Sequence, residues 1–282
     1  MEISISKFIK SGFNSISQIM LQENIYTGML FLLGIFFGST YMGLGAILAT
    51  STATVTAHLF KYEKDNIEKG LYGFSPALVG VAVMLFFKPV LLSWIIIMLG
   101  SVMAVVIQHF FFKRKIPVFT LPFVLVTWFF IYLAIYVYPS ILNDKTLFTS
   151  SQIDNYLFAV KGFGQVIFQV GIWSGGLFIL GVFIHSPIAG IYGLTGALLA
   201  GILAYPFVPT ETIANGLISY NAVLCAIVFA GKDYKNFFSA MLSVVFSVIF
   251  TVLMMKFNII ALTFPFVLGA CLTLLLKPLN PS

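Results

Sequence analysis

Apolar stretches separated by short polar links fill most of the chain. They run over approximately 25–41, 42–59, 75–87, 90–112 and 117–138, and again over 173–186, 187–205, 221–231, 236–255 and 261–276. A more polar link at 139–160 parts the two groups. Runs of this kind predict membrane-crossing helices, about ten of them, yet several fall short of the roughly 20 residues that a straight crossing needs. Short or Pro/Gly-interrupted segments at matching places in two halves predict broken helices around a site near the bilayer centre. Residues 1–24 mix Ile and Phe with Ser, Lys and Asn and lack the apolar core of a signal peptide. They are therefore expected to be retained, with 12–22 only weakly amphipathic.

The second group of runs repeats the first. Aligning 17–39 with 164–186 gives ten identities over the 22 positions from Gln18 to Ser39, among them Gln18/Gln165, Gln22/Gln169, Gly28/Gly175 and Ser39/Ser186. GLYGFSPALVG (70–80) pairs with GLISYNAVLCA (216–226), and VFTLPFVL (118–125) with ALTFPFVL (261–268). Three collinear blocks at a nearly constant offset indicate an internal duplication. The expected organisation is one integral membrane domain, with a first repeat over 1–140, a linker over 141–160 and a second repeat over 161–282.

Composition sharpens this. Of 282 residues 60% are hydrophobic and 9% charged, with a mean hydropathy of +1.05, which excludes a cytosolic enzyme or a nucleic-acid binder. The net charge of +6 comes from cations scattered in the links rather than gathered on a face. With five crossings per half and a cytoplasmic N-terminus, the inner links hold Lys7, Lys10, Lys61, Lys64, Lys69, Lys113, Arg114, Lys115, Lys232, Lys235 and Lys277. Only Lys88, Lys145, Lys161 and Lys256 fall outside, a positive-inside bias. An odd number of crossings per half makes the second copy enter from the opposite side. The expected fold is thus an all-α polytopic membrane protein of two inverted five-helix repeats, each with a preceding pore helix and a broken helix. Both termini are expected to be cytoplasmic.

Candidate chemistry is uncharged. All nine acidic residues lie in termini, short links or the central link, whereas ion-coupled carriers keep such groups in the membrane. His58, His109 and His185 stand at the ends of runs, where a helix-end role is expected. Cys225 and Cys271 lie inside apolar runs without a partner pattern. No metal spacing, nucleophile–base pair or phosphate loop is present, so neither an enzyme nor a cofactor is expected. What recurs in both halves is Gln18 and Gln165, each with a second glutamine one turn on, ahead of a full apolar run. Their amides could serve a neutral solute or simply bridge helices. Thr120-Leu121-Pro122 and Thr263-Phe264-Pro265 read as helix starts inside segments that would otherwise span, or as packed kinks. Phe74 and Tyr220, Leu78 and Leu224, and Leu21 and Phe168 hold matching places and could form a flat apolar slot.

In this order, and twice, these segments resemble the urea transporter family over about residues 14–278. The resemblance implies a homotrimer in the cell (inner or plasma) membrane, each protomer with its own pore. Through that pore urea passes passively, between apolar walls and past a ladder of helix-end carbonyl oxygens. It implies Gln18 and Gln165 as pore-helix mouth residues and Phe74 and Leu78 as slot walls, with Tyr220 and Leu224 as their mates. Leu21, Val166 and Phe168 would face the slot from the pore helices, and Thr120 and Thr263 would form the central constriction. The chain departs from the family pattern at Leu21, where relatives often carry Phe, and at Ser75-Pro76, where an Asn is expected. It departs again at Ser219, in place of the glycine found at Gly73, and at Gln165, where some bacterial members carry Glu. An ion-coupled carrier of small amides and a membrane scaffold without transport are the competing readings.

Overall fold

The computed structural model of the chain describes residues 4–143 and 157–276. Asp144, Lys145, Asp154 and Lys277, which entered the charge argument, lie outside these residues, as does most of the central link. Among the described residues the chain is helical, and the only β-type pairing is an isolated bridge between Phe87 and Leu142. It divides into two compact units, Met1–Phe148 with Ile167–Gln169, and Thr149–Val166 with Val170–Ser282.

The first unit runs α1 (Ile5–Ser17), α2 (Ile25–Gly38), α3 (Thr40–Leu59), α4 (Lys64–Glu68), α5 (Phe74–Phe86), α6 (Leu91–Lys113) and α7 (Leu121–Val137). The second runs α8 (Phe158–Gln165), α9 (Ile172–His185), α10 (Pro187–Ala204), α11 (Thr210–Ala214), α12 (Ser219–Val228), α13 (Tyr234–Lys256) and α14 (Phe264–Leu276). Element for element the order repeats: α6 and α13 each have 23 residues, and α4 and α11 each have 5. The packing partners repeat as well, α5 lying against α3, α6 and α7 as α12 lies against α10, α13 and α14.

Each of the ten apolar runs holds one helix. Four of these, α3, α6, α10 and α13, are long and apolar enough to cross a membrane unaided. α1 with its following turn, and α2, together make a fifth candidate bent by 76°. α5, α7, α9, α12 and α14 are apolar but have only 10–17 residues. α12, at ten residues, is about 15 Å long, half of a bilayer core.

Two of the long helices turn stripes of small and hydroxyl side chains inward, among buried aromatics such as Phe31, Phe123, Phe178 and Phe266. Gly45, Ala46, Ala49, Thr50 and Ala53 form the buried stripe of α3, and Ala189, Gly193, Gly196, Ala197 and Ala200 that of α10. Small residues let helix backbones approach closely, which supplies dispersion where no hydrophobic drive exists between helices in lipid. Large apolar side chains such as Phe37, Leu99, Trp173 and Ile202 are exposed on the outside. α1 carries this inversion furthest: Ser11, Asn14, Ser15 and Ser17 are buried while Ile5 and Ile9 are exposed. α1 begins seven residues ahead of the 12–22 stretch read as weakly amphipathic, and buries Ile16 along with these polar residues. α8 brings a second correction. Lys161, which the charge count assigned to an outer link, is only 1% exposed and is the one buried charged side chain among the described residues.

Helix ends recur in pairs with left-handed backbone: Leu21 and Phe168, Gly70 and Gly216, Lys115 and Asn258, Phe119 and Leu262. Gly70 (φ +78°) and Gly216 (φ +72°) close α4 and α11, with Gly70 N–H on Ile67 O and Leu71 N–H on Asn66 O, both 3.0 Å. That is the double hydrogen bond of a helix stop, which needs φ > 0 at its pivot. A Cβ at Gly216 would also sit 2.5 Å from Gly162 N, and one at Gly70 would strike Ser15 N. Elsewhere His109, near the end of α6, stacks on Tyr62 (3.6 Å, 5°) and pairs through Nδ1 with Tyr72 Oη at 3.0 Å. It pins the α3–α4 link to α6, the helix-end role expected of it.

Gly70→Ala and Gly216→Ala are each expected to destabilise by about 2 kcal/mol or more, from left-handed strain plus overpacking. Gly12→Ala and Gly176→Ala, where an added Cβ meets nothing within 4 Å, are expected to be near neutral. Thermal unfolding in detergent followed by size-exclusion recovery measures both, and equal losses for all four would refute the argument.

Candidate functional site

α1 ends in a single 3-10 turn over Gln18–Met20 and then in Leu21 at φ 58°. Leu21 N–H bonds Gln18 O at 3.0 Å and Gln22 N–H bonds Ser17 O at 3.2 Å, so Leu occupies the pivot that glycine usually fills. A β-carbon there costs about 1–2 kcal/mol, so the surroundings must over-determine the turn. They do so with side chains. Gln22 Nε2 donates to Met20 O at 2.6 Å, and the single proton of the Ser17 hydroxyl serves Gln22 O or Asn14 O, both within its reach. In the second copy Gln169 Nε2 donates to Ile167 O at 2.9 Å, bracing the turn at Phe168 (φ 58°) in the same way.

The glutamine at the start of each stripe braces as well. On one face of α1, Ser11 Oγ donates to Ile67 O (2.6 Å), Asn14 Nδ2 to Glu68 O (2.8 Å) and Gln18 Nε2 to Lys69 O (3.2 Å). These are carbonyls of the last turn of α4 and its cap, where the intrahelical ladder runs out; Ile67 O takes the Ser11 hydroxyl in addition to Gly70 N–H. Gln165 Nε2 donates to Asn215 O at the end of α11, at 3.1 Å. Each of the two glutamines thus donates one amide hydrogen to a backbone carbonyl at a helix end. Around α4 the charges cancel: Lys7 Nζ lies 2.7 Å from Glu68 Oε1, and Lys69 Nζ 2.7 Å from Asp65 Oδ2. The Lys7 ammonium, donating to Glu68, holds that carboxyl below its usual range, and Asp65 raises Lys69.

Within the first unit α5 packs on both the Gln18–Met20 turn and α7. Phe74 and Leu78 lie on α5 itself, Gln18 in the turn packed on it, and Leu21 and Thr120 directly flank that turn and α7. Ile167–Gln169 belongs to this unit too, and Phe168 lies edge-on to Phe86 (6.3 Å) and to Phe123 (6.1 Å), the latter on the first turn of α7. Leu21 is exposed and Phe74 retains slight exposure, whereas Leu78 has none and Thr120 is buried. In the second unit α12 packs on α8 and α14, gathering Gln165, Val166, Tyr220, Leu224 and Thr263. Val166 and Leu224 have no exposed surface, Gln165 and Thr263 are buried, and Tyr220 retains slight exposure.

α7 and α14 begin where the Thr-x-Pro segments predict, with Thr120 directly before Leu121 and Thr263 directly before Phe264. Phe119 (φ 46°) and Leu262 (φ 45°) precede them in matching left-handed conformations. The capping chemistry differs from expectation: the Thr120 side chain makes no capping hydrogen bond to α7. At α14 the residue that sequence reasoning passed over is Asn221, on α12. Its Oδ1 accepts from Phe266 N–H at 3.2 Å, and its Nδ2 donates to Leu262 O at 3.3 Å. Tyr220 Oη donates to the same carbonyl at 2.6 Å. An aromatic hydroxyl and an amide side by side in an otherwise apolar helix were the available signal.

The urea transporter family model, "UT: Urea transporter", matches residues 9–278. "Urea transporter 1" of Rattus norvegicus is 27% identical over 99% of this chain and 79% of its own length. Its namesake in Mus musculus is 28% identical over the same shares, and that of Capra hircus 26% identical over 98% and 79%.

The Gln165 bridge generates a direct test. Gln165→Leu and Gln165→Met both remove the donor to Asn215 O, so each is expected to cost about 1–3 kcal/mol. Both should lower the detergent unfolding temperature by similar amounts. A Gln165→Met protein as stable as the parent would show that the donated hydrogen bond is not what matters.

Proposed function

We propose, from the premise that this chain belongs to the urea transporter family, that it lets urea cross its membrane passively through a narrow, uncharged slot. The family is one of multi-pass membrane transporters, not enzymes. The observation that carries the passive reading is the chemistry of the candidate groups. None of Gln18, Leu21, Phe74, Leu78, Thr120, Gln165, Val166, Phe168, Tyr220, Leu224 and Thr263 is a carboxylate, histidine or lysine.

Urea is planar, with donors at its edges and weakly polar faces. Apolar walls contributed by Phe74, Leu78, Val166, Phe168, Tyr220 and Leu224 would contact the faces. Edge N–H groups need acceptors in place of water, because an unpaired polar group in an apolar passage costs several kcal/mol. With Nε2 of Gln18 and Gln165 committed to backbone, their Oε1 atoms are the acceptors offered, followed by the hydroxyls of Thr120 and Thr263. Several weak acceptors in series suit fast conduction better than one tight site. Starts of α7 and α14 at the slot would add positive dipole ends, which repel cations and tolerate a neutral dipole.

The inverted orientation of the two repeats, as ten crossings with a cytoplasmic N-terminus, is supported by the nearly constant sequence offset and by eleven inner cations against three outer ones once buried Lys161 is set aside. A homotrimer in the cell (inner or plasma) membrane rests on the family resemblance. One observation favours the competing ion-coupled carrier, namely buried Lys161, one turn before Gln165 on α8. Its repeat mate Asn14 donates to the α4 terminus, so the bracing position it inherits supports a structural role for it.

Stopped-flow urea efflux from proteoliposomes is expected to be unaffected by proton or sodium gradients and flat between pH 6 and 8. Thr120→Val and Thr263→Val should each cut flux about tenfold, the equivalent of one lost hydrogen bond of ~1.4 kcal/mol. Flux driven by an ion gradient and abolished in Lys161→Asn would replace the passive reading with the carrier. Full flux in both Val variants would remove the constriction from the mechanism.

A further inference from the structure

Cations that the sequence scatters over two links are gathered by the fold at one place, the shared end of α3 and α6. Tyr62, just past α3, stacks on His109 of α6 at 3.6 Å, so both helices end at the same bilayer face. With 23 residues, α6 is about 35 Å long, enough to carry Lys113 past a hydrocarbon core of roughly 30 Å. Lys113, Arg114 and Lys115 therefore stand at headgroup level. Lys61, beside Tyr62, stands with them, and Lys64 opens α4 directly beyond. All five are exposed. Neither ion pair among the described residues, Lys7–Glu68 or Lys69–Asp65, involves any of them. Glu63, the acid in their midst, accepts from Asn66 Nδ2 at 2.8 Å.

An apolar rim borders these charges. Leu59, Phe60, Phe110 and Ile116 are exposed, and the Arg114 guanidinium carbon lies 3.6 Å from the Phe110 ring centroid. A guanidinium laid on an outward-facing ring is held at the boundary between acyl chain and headgroup while most of its five donors stay available. The repeat-related end of α10 and α13 is built differently, with exposed Tyr205, Phe207 and Phe257 and one cation, Lys256. Aromatic residues suffice to anchor a helix end at the interface. The basic end of α3 and α6 therefore carries more charge than anchoring requires.

We propose that the end of α3 and α6 is a binding site for an anionic phospholipid. Lys61, Lys113, Arg114 and Lys115 take its phosphate, and the rim takes the upper part of its acyl chains. Clustered cations beside a crossing helix attract anionic headgroups, and a guanidinium matches phosphate with a fork of donors. The rim commits the site to a lipid rather than a free phosphate, which would leave Leu59, Phe60 and Ile116 with no role. This site needs only the membrane placement of the chain and is independent of the slot.

The probe is dioleoylphosphatidylglycerol, offered with an equal amount of dioleoylphosphatidylcholine to the detergent-purified full chain, with bound lipid counted by native mass spectrometry. The parent is expected to retain phosphatidylglycerol about tenfold over phosphatidylcholine. Arg114→Gln should lower that preference about fivefold, the equivalent of one cation at a membrane surface. Lys113→Gln/Lys115→Gln should bring it close to parity. Lys232→Gln/Lys235→Gln, which removes the same charge ahead of α13, should leave it at the parental value. Parity in the parent, or an equal fall in the two double variants, overturns the proposal and leaves the cations as topology signals alone. Excess glycerol 3-phosphate, which has the headgroup charge without chains, should displace little of the bound lipid. Full displacement overturns the assignment to lipid and gives the site to a soluble phosphate.

Discussion

A helix that stops inside a membrane must find partners for backbone groups that neither lipid nor its own hydrogen-bond ladder can satisfy. The rest of this structure follows from that constraint. In each unit the helices that fall short of a crossing, α5, α7, α12 and α14 above all, lie among the longer α3, α6, α10 and α13. α5 and α12 are buried along nearly their whole length, so every polar group at their ends must be met by protein or by a passage. The amides and hydroxyls of α1 meet the end of α4, Gln165 meets the end of α11, and Asn221 meets the start of α14. These polar side chains face inward because backbone ends are there.

The same constraint explains why duplication left backbone and side chains with different fidelity. Left-handed pivots recur at four repeat-related pairs of positions, since moving one would redirect a helix and lose every contact downstream. The groups that brace those pivots are interchangeable in principle, and they have diverged. Asn14 corresponds to Lys161, Ser75 to Asn221, and Phe74 to Tyr220. Where a brace was lost the cost is local, as at Ser75 with its unpaired buried hydroxyl. An orphaned hydroxyl costs about 1–3 kcal/mol, which a protein of this size can carry.

Much of the architecture was legible along the chain, because a bilayer imposes a simple rule on composition and length. All ten apolar runs contain helices, and both Thr-x-Pro segments mark helix starts. What periodicity could not show was direction. A buried Asn or Gln reads identically whether its amide turns toward a solute or toward a carbonyl two residues away, and only the fold shows that Gln22 reaches Met20 O. The placement of Lys161 was obscured for a related reason. A lysine beside glycines at the edge of a polar link has the composition of a loop, whereas α8 buries it at a position its repeat mate fills with an amide. Asn221 escaped notice because its role depends on residues some 41 and 45 positions away.

The candidate groups also carry a reason for selecting a neutral, edge-donating solute that does not depend on any single residue. Removing a cation from water costs several kcal/mol unless a counter-charge awaits it, and among the described residues no acidic side chain is buried. Apolar surface alone would pass small nonpolar molecules and strand the N–H groups of an amide. Acceptors without accompanying charge distinguish between these cases. They replace water for a donor-rich neutral molecule at little net gain or loss, so the solute neither stalls nor is refused. A carboxylate at either glutamine would accept more strongly but bring a charge. A hydrocarbon there would raise the entry barrier. An amide, oriented by donating its own hydrogen to the backbone, offers an acceptor of intermediate strength. In the proposed slot, bracing the helix ends and presenting an acceptor would be one role of Gln18 and Gln165 rather than two competing ones.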